Sequence, residues 1–397
     1  MKHIQRKTER RIAAALRLAL VAVLLLLQIA LVIALTQVLR QKMYIGYSVL
    51  EIIAVLCVVR IYMRSGSSTY KPGWIVLIML VPVVGLILYF LWNGNQVKKK
   101  LDLKPIPMPP ETEEVKRRSQ SAQENLSARW PRWGRLAAYL RRQDMPLFEN
   151  TDMTYFPTGE EYLEDLLERM KTARRFIFLE YYIASEGEIW DRICTVLTER
   201  AAAGVEVNLI LDDFGSMMTM PPEVISALRK RGVWVQMFNP VHRYVNRLYF
   251  NYRDHRKIAV IDGDIAYTGG ANLADEYANL IVRFGYWKDC GIRLEGEGAW
   301  GLTRQFMYLW LRMGGELRES WDSYRPRTAP EGGEFCQPLV DGPDNNPVNT
   351  AEDTFQQLIS NANRYIWITT PYLAIDEPMI RTLCIAADSG VDVRLML

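Results

Sequence analysis

The chain has 397 residues, 49% of them hydrophobic, with a formal net charge of +3. That length allows more than one domain plus membrane segments, and so small a positive excess does not by itself imply a nucleic-acid partner. Five scattered cysteines without a C-x-x-C pair argue against a disulfide framework and a zinc site, and three histidines leave little room for an imidazole metal centre.

Residues 1–97 read as a membrane region with three apolar runs. Leu18–Leu35 has Gln28 as its one polar residue, Met43–Val59 carries Glu51, and Trp74–Trp92 is uncharged with aromatic residues at both ends. Runs of 17 to 19 apolar residues suit transmembrane helices. Lys2, Arg6, Lys7, Arg10 and Arg11 precede the first run, as in a signal peptide, but no small-residue cleavage site follows Leu35, so an uncleaved anchor is expected. The positive-inside rule puts both the basic tail and Lys98–Lys100 in the cytoplasm. Three full spans cannot satisfy both. Either the Glu51 run does not cross fully or the N-terminus is exported, with the catalytic part expected on the cytoplasmic side.

Residues 98–145 read as a basic, Pro-rich linker that hugs the membrane, through Pro105–Pro110 and the cation–tryptophan mixture Arg129–Arg135, then Arg141 and Arg142. From Glu160 the pattern alternates helix 160–172, strand 175–183, helix 187–203, strand 205–211, helix 222–231 and strand 233–238. Such alternation predicts an α/β layer with a substantially parallel sheet in 146–325. The neighbouring carboxylates Asp212 and Asp213 read as a loop at a strand's end in preference to a Mg²⁺ site. Gly301–Met313 is an amphipathic helix covering the sheet, and Asp322–Asn349 a connection to residues 326–397.

The chemistry concentrates in Asn251-Tyr-Arg-Asp-His-Arg-Lys-Ile-Ala-Val-Ile-Asp-Gly263 and Thr268-Gly-Gly-Ala-Asn272, the pattern H-x-K-x4-D-x6-G-G-x-N. Lys257–Thr268 predicts a β-hairpin turning at Asp262-Gly263. Strand neighbours two apart share a face, so His255 and Lys257 point the same way. Gly269 and Gly270 let the backbone pass close to a ligand, and Asn272 can return to the same site. A nucleophilic imidazole, a cation and an amide donor suit phosphoryl transfer. Asp262 has the wrong strand parity and sits at the turn, which makes it structural.

These residues resemble the phospholipase D superfamily and, within it, the bacterial cardiolipin synthases. Phe156–Glu160, Phe178–Ile183, Asp212–Ser216, Phe238–Pro240, Asn272–Tyr277 and Trp287–Asp289 support the likeness, which runs through essentially the whole chain. It implies a phospholipase D-like mixed β-sheet flanked by helices behind N-terminal transmembrane helices. It also implies a phosphohistidine on the motif histidine, no metal or other cofactor, and active-site roles for His255, Lys257, Asn272 and the motif aspartate Asp262. Asp289 is the candidate for the acidic residue that orients the histidine, with an ordinary ion pair to Lys288 or Arg293 as its alternative.

The family uses two such motifs, and here His3 and His242 lack a lysine two residues on. Yet Ala173–Ile183 is echoed by Ala362–Tyr372 and Ala203–Leu211 by Ser389–Leu397, an internal duplication. The second copy stops before its expected histidine, so a C-terminally truncated synthase with an incomplete second half is expected. The implied reaction joins two phosphatidylglycerol molecules into cardiolipin and glycerol at the bacterial plasma membrane, among anionic lipids. Alternatives are an inactive remnant that binds lipid or a partner, a phospholipase D-type hydrolase, and, less favoured, a homodimer pooling single motifs.

Overall fold

The computed structural model of the chain describes residues 44–63, 71–92, 103–240, 252–283, 285–330, 333–342 and 349–397. The run Leu18–Leu35, the basic N-terminal tail, Lys98–Lys100, His242 and Asn251 lie outside the described residues. Two compact units divide the chain, Met1–Gly94 and Asn95–Leu397.

In the first unit, helix Tyr44–Met63 precedes helices Lys71–Leu80 and Pro82–Trp92. The run 74–92, expected as one span, is interrupted at Val81. Pro82 has no N–H to give, and its ring excludes the carbonyl four residues back. The two arms fold against each other, with the Trp74 and Tyr89 rings 5.7 Å apart. A Cβ on Gly85 would lie 2.6 Å from the Ile78 Cα, so glycine permits the close approach. Arms of 10 and 11 residues rise only about 15–16 Å, half of a ~30 Å hydrocarbon core. Among the described residues no helix is long and apolar enough to cross a membrane. Ala54, Cys57, Ile61, Ile78, Leu86 and Tyr89 form a small core, whereas Ile52, Leu56, Met79, Val83 and Ile87 face outward.

The second unit is built on an eight-stranded mixed sheet ordered β4-β3-β2-β5-β6-β7-β1-β8. The strands are β1 (Phe148–Phe156), β2 (Phe176–Tyr181), β3 (Glu206–Asp212), β4 (Trp234–Phe238), β5 (Lys257–Ile261), β6 (Ile265–Gly269), β7 (Gly291–Gly296) and β8 (Glu334–Cys336). β2, β3 and β4 run parallel, and β5 joins β2 antiparallel. Every residue of β2 and β3 is buried, as strands covered on both faces require. On one face, helices Gly159–Lys171 and Glu188–Ala202 bury Leu163, Leu166, Leu167, Ile193 and Leu197. On the other, helix Ala299–Arg312 stacks Phe306 on Phe178 at 4.6 Å. The predicted elements between 160 and 238 agree with these bounds to within two residues.

The stretch expected as a membrane-hugging linker is packed onto this sheet from Lys104 onward. Lys104 N–H donates to the Arg312 carbonyl at 2.7 Å, and the buried Glu111 carboxylate lies 3.1 Å from both Arg304 and Arg325 while accepting from Trp300 Nε1 at 2.9 Å. Helix Glu113–Arg129 packs Ala122 and Leu126 against Leu147. Buried Arg304 also meets Asp144 at 2.9 Å, and the two carboxylates together tie Glu111 and its segment to the helix.

The internal duplication is visible in the register. β2 and β3 pair with Phe176 opposite Glu206. The equivalent strands β9 (Tyr365–Thr369) and β10 (Asp392–Met396) pair in parallel with Tyr365 opposite Asp392, the same register in a separate two-stranded sheet.

Asp262 holds the hairpin turn to the start of β2. Its φ of 56° and that of Gly263 at 80° are left-handed. Its carboxylate accepts from the N–H groups of Arg174, Arg175 and Phe176 at 2.9, 2.7 and 3.0 Å, and its carbonyl from Arg175 Nη1 at 2.6 Å. Asp262 therefore sits at the far end of β5 from His255, a structural clasp. Asp262→Asn should remove roughly 1.5–3 kcal/mol and lower the melting temperature by about 5 °C, read by thermal unfolding. A midpoint within one degree of the wild type would show that the clasp does not matter.

Candidate active site

The ends of β2 and β6 and the beginnings of β5 and β7 meet at one edge of the sheet, where Tyr181 pairs with Lys257 and Gly269 with Gly291. His255 stands just ahead of β5. Lys257 Nζ lies 3.2 Å from His255 Nδ1 and donates to the His255 carbonyl at 2.7 Å, so the two side chains do share a face. The Tyr182 ring is centred 4.7 Å from the imidazole, with Lys257 Nζ 5.7 Å above it.

Electrostatics set the protonation states. Burial, then the Lys257 charge, pushes the His255 pKa down to about 4, against an opposing pull from Asp254. Burial likewise lowers Lys257 to about 8, opposed by Asp254 and Asp289. At neutral pH the site therefore presents a neutral imidazole, whose lone pair can attack phosphorus, beside an ammonium that can neutralise phosphoryl oxygens.

The supporting charges escaped the sequence reading. Arg256, between His255 and Lys257, points to the opposite face and meets the fully buried Glu180 at 2.6 Å and Asp254 at 2.8 Å. Asp212, at the end of β3, accepts from the N–H groups of Phe214, Gly215 and Asp254 at 2.9, 3.0 and 2.9 Å. Burial raises its pKa to about 6. Arg253 donates to the Asn239 carbonyl at 2.9 Å and reaches Asp212 at 3.4 Å. The sequence signal was present: Arg253 to Lys257 are five consecutive titratable residues leading into an apolar strand, and parity alone sends Arg256 inward.

The other candidate residues make contacts of their own at this edge. Asn272 is buried, but its Oδ1 accepts from Ile183 N–H at 3.1 Å and its Nδ2 donates to the Tyr277 hydroxyl at 2.7 Å, with no hydrogen bond to His255 or Lys257. It splices the loop after β6 to the end of β2. Asp289 accepts from Cys290 N–H at 2.8 Å and Trp287 Nε1 at 3.2 Å, not from His255. It acts on the site through the field it exerts on Lys257. A Cβ on Gly269 would lie 2.6 Å from the Cys290 carbonyl oxygen, and one on Gly270 would strike the Asp289 carboxylate, so both glycines admit the segment that leads into β7.

Comparisons with known proteins agree with this geometry. Residues 52–93 match the family described as "Phospholipase_D-nuclease N-terminal", and residues 166–281 match "Cardiolipin synthase, PLD-like domain". An uncharacterized protein of Streptococcus mutans is 35% identical over 331 residues, 82% of this chain and 70% of that protein. A cardiolipin synthase of Halalkalibacterium halodurans is 31% identical over 359 residues, covering 89% of this chain and 70% of the relative. The major cardiolipin synthase of Bacillus subtilis is 29% identical over 360 residues, 88% of this chain and 73% of that enzyme. The chain belongs to the cardiolipin synthase family of the phospholipase D superfamily.

Proposed function

We propose that this enzyme transfers a phosphatidyl group from one phosphatidylglycerol to another, giving cardiolipin and glycerol. The observation that carries the reading is the neutral His255 imidazole beside the Lys257 ammonium at 3.2 Å, in a chain of this family. His255 Nε2 attacks the donor phosphorus. The N–P bond forms as the P–O bond to the headgroup glycerol breaks, and the glycerol oxygen takes up a proton. The hydroxyl of a second phosphatidylglycerol then attacks phosphorus, loses its proton, and breaks the N–P bond.

Lys257 has two tasks in this scheme. While its ammonium donates to Nδ1, the proton of the neutral ring sits on Nε2. The arriving phosphate draws Lys257 onto its oxygens, which frees Nδ1 to hold the proton and exposes the Nε2 lone pair. The outward apolar side chains of helices 44–63, 71–80 and 82–92 suit an enzyme held at the bacterial plasma membrane.

His255→Ala should lose at least about a thousandfold in cardiolipin formation from phosphatidylglycerol micelles at equal expression. Activity within tenfold of the unsubstituted enzyme would refute the assignment. Phosphatidic acid as the main product would make it a hydrolase.

Activity needs His255 neutral and Lys257 charged. The profile of kcat/KM should therefore fall on the acid side with a limb near pH 4 and on the alkaline side near pH 8. Lys257→Arg, whose guanidinium stays charged, should move the alkaline limb upward. An alkaline limb that stays in place would remove Lys257 from that role. The chemistry also calls for no divalent ion, so activity should survive excess EDTA, and a loss restored by one specific metal would contradict it.

A further inference from the structure

The loop joining β6 to β7 leaves the sheet at the same edge as His255 and Lys257. Its tip exposes Leu280, Ile281 and Val282 at 46, 48 and 83%, with Tyr286 at 66%. Three adjacent aliphatic side chains held in water contribute nothing to folding. Nor does the tip hang loose. Asn279, with a left-handed φ of 52°, accepts from Trp287 N–H at 2.6 Å and donates to the Trp287 carbonyl at 3.0 Å and to Glu160 at 2.8 Å. Leu280 N–H is tied to the Asp275 carbonyl at 3.0 Å. The base of the loop is also wired to the site, through Tyr277, which bonds Asn272, and Trp287, which bonds Asp289.

We propose that this tip inserts into the interface of an anionic lipid bilayer and sets the catalytic edge at headgroup depth. From Ala278 to Lys288 the sequence has no carboxylate, and it combines the aliphatic triplet with Tyr286, Trp287 and two cations, Arg283, which pairs with Glu276 at 3.0 Å at the loop's base, and the exposed Lys288. Aliphatic, aromatic and basic side chains together match the chemistry of an anionic interface. The inference rests on the lipid-substrate reading above, since the donor phosphate must come from a bilayer to the imidazole at this edge. Insertion beside the site shortens that path.

The test uses the full chain reconstituted in vesicles of phosphatidylglycerol and phosphatidylcholine, with or without bromine on the acyl chains. Val282→Trp places a fluorophore at the tip. Lys171→Trp places one on an exposed helix end beside the opposite edge of the sheet. After subtraction of the unsubstituted protein, brominated lipid should quench the tip signal by at least half and the control by less than a tenth. Equal quenching of the two, or tip quenching that follows protein density instead of bromine, overturns the proposal. This readout needs no activity, so it stands apart from failure of the transfer reading. Replacing Leu280, Ile281 and Val282 together by serine should reduce turnover of vesicle phosphatidylglycerol at least fivefold while leaving that of a short-chain, monomeric phosphatidylglycerol within twofold. An equal loss on both lipids counts against insertion.

Discussion

The constraint on which the site depends is the pairing of charges in the row that leads into β5. Arg253 to Lys257 carry five titratable side chains up to a sheet whose neighbouring strand, β2, is wholly buried. A buried charge left without a partner costs several kcal/mol. The two arginines are answered from other strands and loops, Arg253 by Asp212 and the Asn239 carbonyl and Arg256 by Glu180, while the buried Asp254 is answered by Arg256 within the row. These pairs do no chemistry themselves. They fix the backbone on either side of His255, so the imidazole meets its lysine without having to search for it, and the ordering cost is met in folding.

The same desolvation explains why the pKa values of both reactive groups are displaced downward. Desolvation penalises the charged form of imidazole and ammonium alike. For His255 this favours the nucleophile. For Lys257 it works against the cation, and the carboxylates of Asp254 and Asp289 offset part of the loss. Asp289 thus serves the site electrostatically at a position where a direct hydrogen bond to His255 was expected. Gly270 is glycine because that carboxylate occupies the space a Cβ would need.

Much of the architecture was legible because period and parity are local properties. The hairpin, its Asp262-Gly263 turn, the shared face of His255 and Lys257, and the helix–strand alternation from 160 to 238 all follow from residues close in sequence. What was missed depends on distant partners. Nothing near Arg256 announces Glu180, and nothing near Asn272 announces Ile183. Glu111 looked like part of a Pro-rich linker because its partners Arg304 and Arg325 lie some two hundred residues on. The interruption at Val81 differs in kind. Pro82 was in plain view inside the apolar run, but hydropathy weighed the side chains and ignored the missing N–H.

The two copies of the duplicated unit separate what local sequence determines from what tertiary burial determines. β2–β3 and β9–β10 share a parallel register, residue for residue, and each pair brackets a helix, Glu188–Ala202 in the first and Glu377–Asp388 in the second. Their surroundings are opposite. Phe176 and Phe178 lie beneath Phe306 and Tyr324, whereas their equivalents Tyr365 and Trp367 are 56 and 60% exposed. Both copies possess the crossover helix packing one strand face, as Leu383 and Met379 do beside Ile366 and Ile368, and the glycine turn that starts the second strand, Gly204 at φ 90° and Gly390 at φ 89°. These local features accompany the shared register in both copies.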